Sequence, residues 1–213
     1  EISRIWQQER DKVTNNAEAI SAALQQPRYE ASPNQLSSAE IHQAADVIIN
    51  ATDPRYGGLK GTPKFPQAPI FTFLWEAYLR SRNEKARDAV LTTLTQISNG
   101  GIYDHLAGGI ARYSTDPKWL APHFEKMLYD NAQYVSLLTR AWLETEMPLY
   151  ATRISQTIEF VLREMTGESG CFTSSYDADS EGKEGKYYVW SQDEIQKLLA
   201  PDEFEIFRAA YDV

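Results

Sequence analysis

The stretch "DPKWLAPHFEKMLYDNAQY", residues 116–134, decides how the chain is read. Pro122 suits the first turn of a helix, and Glu125 just behind it suits the positive end of a helix dipole. Phe124, Leu128, Val135, Leu138 and Trp142 then recur at helical spacing, which predicts a helix over 124–145 with that stripe facing the core. His123, Lys126 and Asp130 fall on a different stripe, so ionisable groups crowd the helix entrance. For Lys126 and Asp130 a surface ion pair one turn apart is the plain alternative. His123, close to Trp119 at a loop-to-helix junction, reads as a ligand-facing group.

On either side of this stretch the same periodicity predicts helices over 38–51, 67–81, 84–99 and 148–166. Between them run three long loops: "YGGLKGTPKFPQAP" from Tyr56, "NGGIYDHLAGGIARYSTDPKWLAP" from Asn99, and "ESGCFTSSYDADSEGKEGKYYVW" from Glu168. Each loop opens with glycine, as a left-handed helix C-cap requires, and two helices separate each loop from the next. A repeat of helix, helix and loop builds an open solenoid or a closed ring and gathers its loops on one face. Loops of this length are uncommon unless they carry function. In the third loop "KYYVW" is the best strand candidate, paired with "CFTSSY". The fold class is mainly α, with a small β-hairpin near 171–190. Upstream, Ile2, Ile5, Trp6, Val13, Ile20 and Leu24 mark one long amphipathic helix within 1–26. Residues 27–36 read as a Pro- and Ser-rich linker that ends in a helix cap at Ser37 or Ser38.

With 42% hydrophobic residues in 213, the chain can bury a sizeable core. It shows neither a long apolar run nor a signal-peptide pattern, so a soluble, cytoplasmic protein is expected. Thirty acidic against 21 basic residues, without a basic cluster, argue against nucleic acid and anionic membranes as partners. Cys171 is the single cysteine, which leaves no internal disulfide and suggests a small core residue. Five Trp, twelve Tyr and eight Phe suit a core and equally suit stacking against sugar rings.

Asp104 and His105 are adjacent in a glycine-flanked loop, with Arg112 and Tyr113 following. They read either as a tuned acid/base pair or as a cap and a space-filler. Asp177, Asp179 and Glu181 alternate before Gly182 like the first half of a calcium loop. Tyr188 then falls where a bidentate Glu is required, so an EF-hand is rejected. The three histidines, at 42, 105 and 123, have no metal-ligand spacing, and neither a metal nor another cofactor is expected. Serine-hydrolase elbows and phosphate-binding glycine loops are missing. The loops supply Asp104, His105, His123, Glu125, Asp177 and Asp179 as candidate catalytic groups. Tyr103, Arg112, Trp119, Lys126, Asp130, Tyr176, Glu181 and Trp190 are candidate binding groups around them. Carboxylates, imidazoles and aromatics together suit carbohydrate chemistry.

The strings "GTPKFPQAP", "GGIYDHLAGGIARYSTDPKWLAPHFEKMLYDNAQ" and "YDADSEGKEGKYYVW" cover most of 56–190 in order. They resemble the thioredoxin-domain-containing family that includes spermatogenesis-associated protein 20. That resemblance implies a thioredoxin-like domain followed by a six-hairpin α/α toroid similar to N-acylglucosamine 2-epimerases and six-hairpin glycosidases. It makes 1–26 the helix that follows a missing thioredoxin-like domain, and 37–213 the N-terminal half of the (α/α)6 toroid. The implied partners are that domain, the second half of the ring and, through the open edge, a second copy. The fragment alone is then expected to be inactive.

Two functions compete. In a sugar epimerase or isomerase, His105 or His123 removes a proton beside a sugar carbonyl; a glycosidase instead pairs carboxylates, such as Asp104 with Glu125 or Asp177. In the other class, the toroid binds or scaffolds without turnover. A shared catalytic face requires His105, His123 and Asp177 to meet.

Overall fold

The computed structural model describes residues 2–25 and 37–211, so the expected linker at 27–36 lies outside the described residues. The chain divides into two units at Ser37/Ser38. In the first, α1 (Ile2–Gln8) and α2 (Arg10–Gln25) replace the single predicted helix, with a break at Glu9. The apolar stripe of α2 buries no residue, and Ile20 and Leu24 are exposed.

The second unit begins with α3 (Ser38–Ala51), α4 (Ala68–Ser81) and α5 (Glu84–Asn99). Then come β1 (Tyr113–Ser114), β2 (Pro122–His123), β3 (Lys126–Met127), α6 (Leu128–Thr145) and α7 (Pro148–Arg163). It ends with β4 (Ser175–Tyr176), β5 (Asp179–Ser180), β6 (Lys183–Glu184), α8 (Gln192–Leu198) and α9 (Pro201–Tyr211). No helix among the described residues is long and apolar enough to cross a membrane.

Two tight turns make the repeat. Arg82 and Glu146 each adopt φ 53° and return an N–H to Tyr78 and Trp142. The Asn83 side chain then caps α5, while Pro148 opens α7. So short a connection makes α4/α5 and α6/α7 antiparallel hairpins, which sends the long loops after α3, α5 and α7 to the same end. α4 packs on α6 and α5 on α7, so like elements of successive hairpins are neighbours, as in an α/α toroid.

Phe71, Leu74, Trp75 and Tyr78 of α4, Val90, Leu94 and Ile97 of α5, and Tyr134, Leu137, Leu138 and Ala141 of α6 fill the core. Each large side chain there contributes about 1.5–3 kcal/mol. Buried hydroxyls are paired, with Tyr134 OH 2.7 Å from Ser98 Oγ and Tyr150 OH 2.9 Å from Thr95 Oγ1.

Several local expectations change. α6 starts at Leu128, not at residue 124, and its buried stripe runs through Asn131, Tyr134, Leu137, Leu138 and Ala141, leaving Trp142 exposed. "KYYVW" forms no strand: β4, from "CFTSSY", pairs with Lys126–Met127, and the small hairpin near 171–190 is Asp179–Ser180 on Lys183–Glu184. Cys171 is exposed rather than in the core. Gly100 has φ −80° and is no left-handed cap; an added Cβ would lie 2.7 Å from the Trp119 carbonyl oxygen, so close approach demands glycine here.

Candidate functional site

The connections after α3 and after α5 contain the same turn, Asp-x3-Gly-Gly, at Asp53 and at Asp104. Asp53 N–H donates to Gly58 O at 2.8 Å and Asp104 N–H to Gly109 O at 2.9 Å. The Asp53 Oδ1 accepts the N–H groups of Arg55 and Tyr56, and the Asp104 Oδ1 those of Leu106 and Ala107. The first glycine of each pair meets the second helix of the following hairpin. A Cβ on Gly57 would lie 2.4 Å from the Thr93 backbone, and one on Gly108 would lie 2.4 Å from the Gln156 carbonyl oxygen.

Each turn also holds a buried lysine from just before the next helix. Lys64 Nζ donates to Asp53 Oδ2 at 3.2 Å and to Pro117 O at 2.9 Å; Lys126 Nζ donates to Asp104 Oδ2 at 2.7 Å and to Gly108 O at 2.9 Å. An aromatic ring from the following loop covers each ammonium at 5.2 Å, Trp119 over Lys64 and Tyr188 over Lys126. Burial pushes the Asp104 carboxyl up, but the Lys126 ammonium and the Ala107 and Leu106 N–H groups outweigh it and hold it below its ordinary value. Burial draws the Lys126 ammonium down while Asp104 pulls it back.

Residues 122–127, expected to open a helix, are extended apart from the break at 124–125, and extended backbone sends successive side chains to opposite sides. Phe124 and Lys126 face one way and meet Tyr188, which stacks on Phe124 with centroids 5.2 Å apart. His123 and Glu125 face the other. The His123 ring stacks on Tyr113 at 4.7 Å, its Nδ1 lies 2.6 Å from Glu184 Oε1, and its Nε2 lies 3.5 Å from Glu125 Oε2. An ionised carboxylate only accepts, so Nδ1–H donates to Glu184. Arg112 completes the cluster, donating to Glu125 Oε2 at 2.7 Å. Burial pushes the neighbouring Asp130 carboxyl up to about 6, against the pull of Arg112.

Beyond Lys126 opens a cleft of about 400 Å³, with Phe160, Tyr176, Tyr187 and Tyr188 among its walls and Glu164, Asp177 and Asp179 at its edge. The structure thus gathers Arg112, His123 and Glu125 into one cluster, with Asp130 in the field of Arg112, and Lys126, Tyr176, Asp177 and Asp179 around a cleft, with Asp104 behind it on Lys126. Lys126 pairs with Asp104 and not with Asp130.

Other candidates sit elsewhere. His105 donates from Nε2 to Gly100 O and accepts at Nδ1 from Arg153, both at 2.9 Å, and its burial lowers its pKa. Both ring nitrogens are occupied away from His123. Tyr103 is 1% exposed beneath Arg153, and Trp119 is fully buried with its indole N–H on Tyr56 O at 2.7 Å. Glu181 is exposed and pairs with Lys186, and Trp190 is exposed. Among the described residues no group of three or more His, Cys, Asp or Glu is placed to hold a metal.

Glu184, Tyr188, Tyr113 and the Asp53–Lys64 pair were missed as functional or supporting groups. The duplicated Asp-x3-Gly-Gly followed by a lysine just before a helix was the signal available for the last. Nothing local marks Glu184, since it reaches His123 only through the β5–β6 turn.

No protein-family model matches the chain. Human spermatogenesis-associated protein 20 is 35% identical over 212 residues, 93% of this chain and 27% of its own length. The chain is homologous to spermatogenesis-associated protein 20. The mouse protein of that name is 41% identical over 157 residues, 69% of this chain and 20% of its own length. An uncharacterised Caenorhabditis elegans protein is 29% identical over 213 residues, covering 91% of this chain and 28% of its own length. The chain thus spans about a quarter of the length of its curated relatives. Among solved structures, a sugar epimerase from a ruminal bacterium superposes with TM-score 0.57 at 16% identity, over 69% of this chain and 44% of that one. That likeness establishes the α/α toroid fold and carries no residue roles.

Proposed function

We propose that the loop face of this toroid binds a sugar and moves a proton on it in the manner of an epimerase or isomerase, with His123 as the base. The observation that carries the reading is the clamp on His123: Glu184 orients the ring through Nδ1, and Glu125 stands 3.5 Å from Nε2. When Nε2 takes the proton next to a ring-opened sugar's carbonyl, the C–H electron pair becomes a C=C bond and the carbonyl π pair moves to oxygen. The imidazolium formed then sits between two carboxylates. Arg112 is the nearby cation for the resulting enediolate oxygen. Asp130, with its carboxyl near 6, is partly protonated around neutral pH and is the candidate donor that returns a proton to carbon. The fold likeness to a sugar epimerase is consistent with this chemistry without specifying it.

The test uses the chain, and a version extended to the span of its relatives, in deuterated water with a panel of free sugars followed by proton NMR. The expected result is loss of one sugar's C2 proton signal, slowed about 100-fold or more by His123→Asn. His105→Asn should leave exchange per folded molecule intact. Exchange that survives His123→Asn refutes the assignment; new reducing ends without C2 exchange support the glycosidase reading, and no change in any sugar supports a binding toroid.

A further inference from the structure

We infer that the cleft beside Lys126 is a second ligand site, built for a small organic cation such as an amine or a quaternary ammonium. It goes beyond the proton-transfer reading and does not depend on it, since its wall includes Lys126, on the opposite side of the extended segment from His123.

The repeat shows that the space is no by-product of the loop plan. In the first repeat the covering ring is the fully buried Trp119, and Pro117 O takes the second lysine bond. In the second, Tyr188 covers Lys126 from one side, Gly108 O takes the bond, and about 400 Å³ is left alongside. The same scaffold is sealed once and open once.

The charges around the opening select the ligand. Lys126 is compensated by Asp104 at 2.7 Å, and Glu164 by Arg163 at 2.8 Å. Asp177 accepts the Asp179 backbone N–H at 3.1 Å, and neither carboxylate enters an ion pair among the described residues. Two uncompensated negative charges therefore border a cavity walled by aromatic rings, whose faces are themselves negative. Phe160, 2% exposed with Lys126 Nζ 4.3 Å from its ring centroid, is already taken by one cation, and Tyr187, 70% exposed and edge to face with Tyr188 at 5.1 Å, is a ring still open to a second. An anion would be repelled here, and a neutral ligand would forgo both the carboxylates and the ring faces.

Choline and its neutral isostere 3,3-dimethylbutan-1-ol provide the test, titrated into the chain and followed by NMR line broadening and isothermal calorimetry. Choline should bind about tenfold more tightly than the alcohol. Asp177→Asn with Asp179→Asn should erase that difference while leaving alcohol binding unchanged. If the double variant unfolds, Asp179→Asn alone should reduce it, because Asp177 then still holds its turn. Equal binding of the two probes, no binding of choline, or a preference untouched by the aspartate changes overturns the inference. Choline binding without sugar exchange would remove the proton-transfer reading and leave this site standing; the reverse would do the opposite.

Discussion

Replacing Lys126 by methionine keeps an unbranched side chain one atom shorter and removes its charge, leaving Asp104 as a carboxylate with 16% of its side chain exposed and no cation beside it. Breaking an enclosed ion pair from one side costs about 3–5 kcal/mol. Asp104 keeps a window to water and two backbone N–H bonds, so the lower end applies, about 3 kcal/mol. For a domain of this size that lowers the melting midpoint by about 6–12 °C. The pH dependence is the sharper readout. In the parent protein the folded Asp104 lies below its ordinary value, so its stabilisation is present above the unfolded value of 3.8 and is lost as pH falls through the folded one. Without Lys126, burial, the largest influence on this carboxyl, is opposed only by the Ala107 and Leu106 N–H groups and raises the folded carboxyl, so the variant loses stability as pH rises above 3.8. The deficit of Lys126→Met measured by urea unfolding should thus grow from pH 4.5 to pH 7, and Lys126→Met with Asp104→Asn should recover part of it. A deficit of the same size at both pH values would refute the buried-pair account.

Other outcomes follow from the same geometry. Asp130 rises to about 6, so its contribution is present below 3.8 and lost as pH climbs through 6; Asp130→Asn should raise the melting midpoint at pH 8 and leave it nearly unchanged near pH 4. His105 is held neutral below its usual 6.5, so its contribution is present above that value and fades as pH falls; His105→Gln should flatten the decline in stability between pH 7.5 and 5.5. Trp119→Phe leaves Tyr56 O without its donor inside the core and should cost about 1–3 kcal/mol by chemical denaturation. Trp190→Phe, on the surface, should stay within about 0.5 kcal/mol.

Five of the helices were legible within a few residues because helix formation and one-sided burial leave a periodic record along the chain. The exception at the entrance to α6 is instructive. Pro122 and Glu125 satisfy the rules for a helix start, yet the segment runs extended because β1 and β4 supply its backbone partners from residues 113–114 and 175–176. Those bonds depend on chain elements far away in sequence, which no local rule weighs. The crowding of ionisable groups there has the same origin: alternation sends His123 and Glu125 to one cluster, and Phe124 and Lys126 towards a cleft.

Local sequence was therefore enough to establish an α-helical repeat with three long loops on one face, since periodicity, capping residues and short turns act over a few residues. Which ionisable groups meet was decided in three dimensions. His105 and His123 look equivalent as letters, but one is locked between Gly100 and Arg153 while the other rests between carboxylates. The difference lies in α7 and in the β5–β6 turn, 48 and 61 residues downstream, and only folding brings those partners within hydrogen-bond reach.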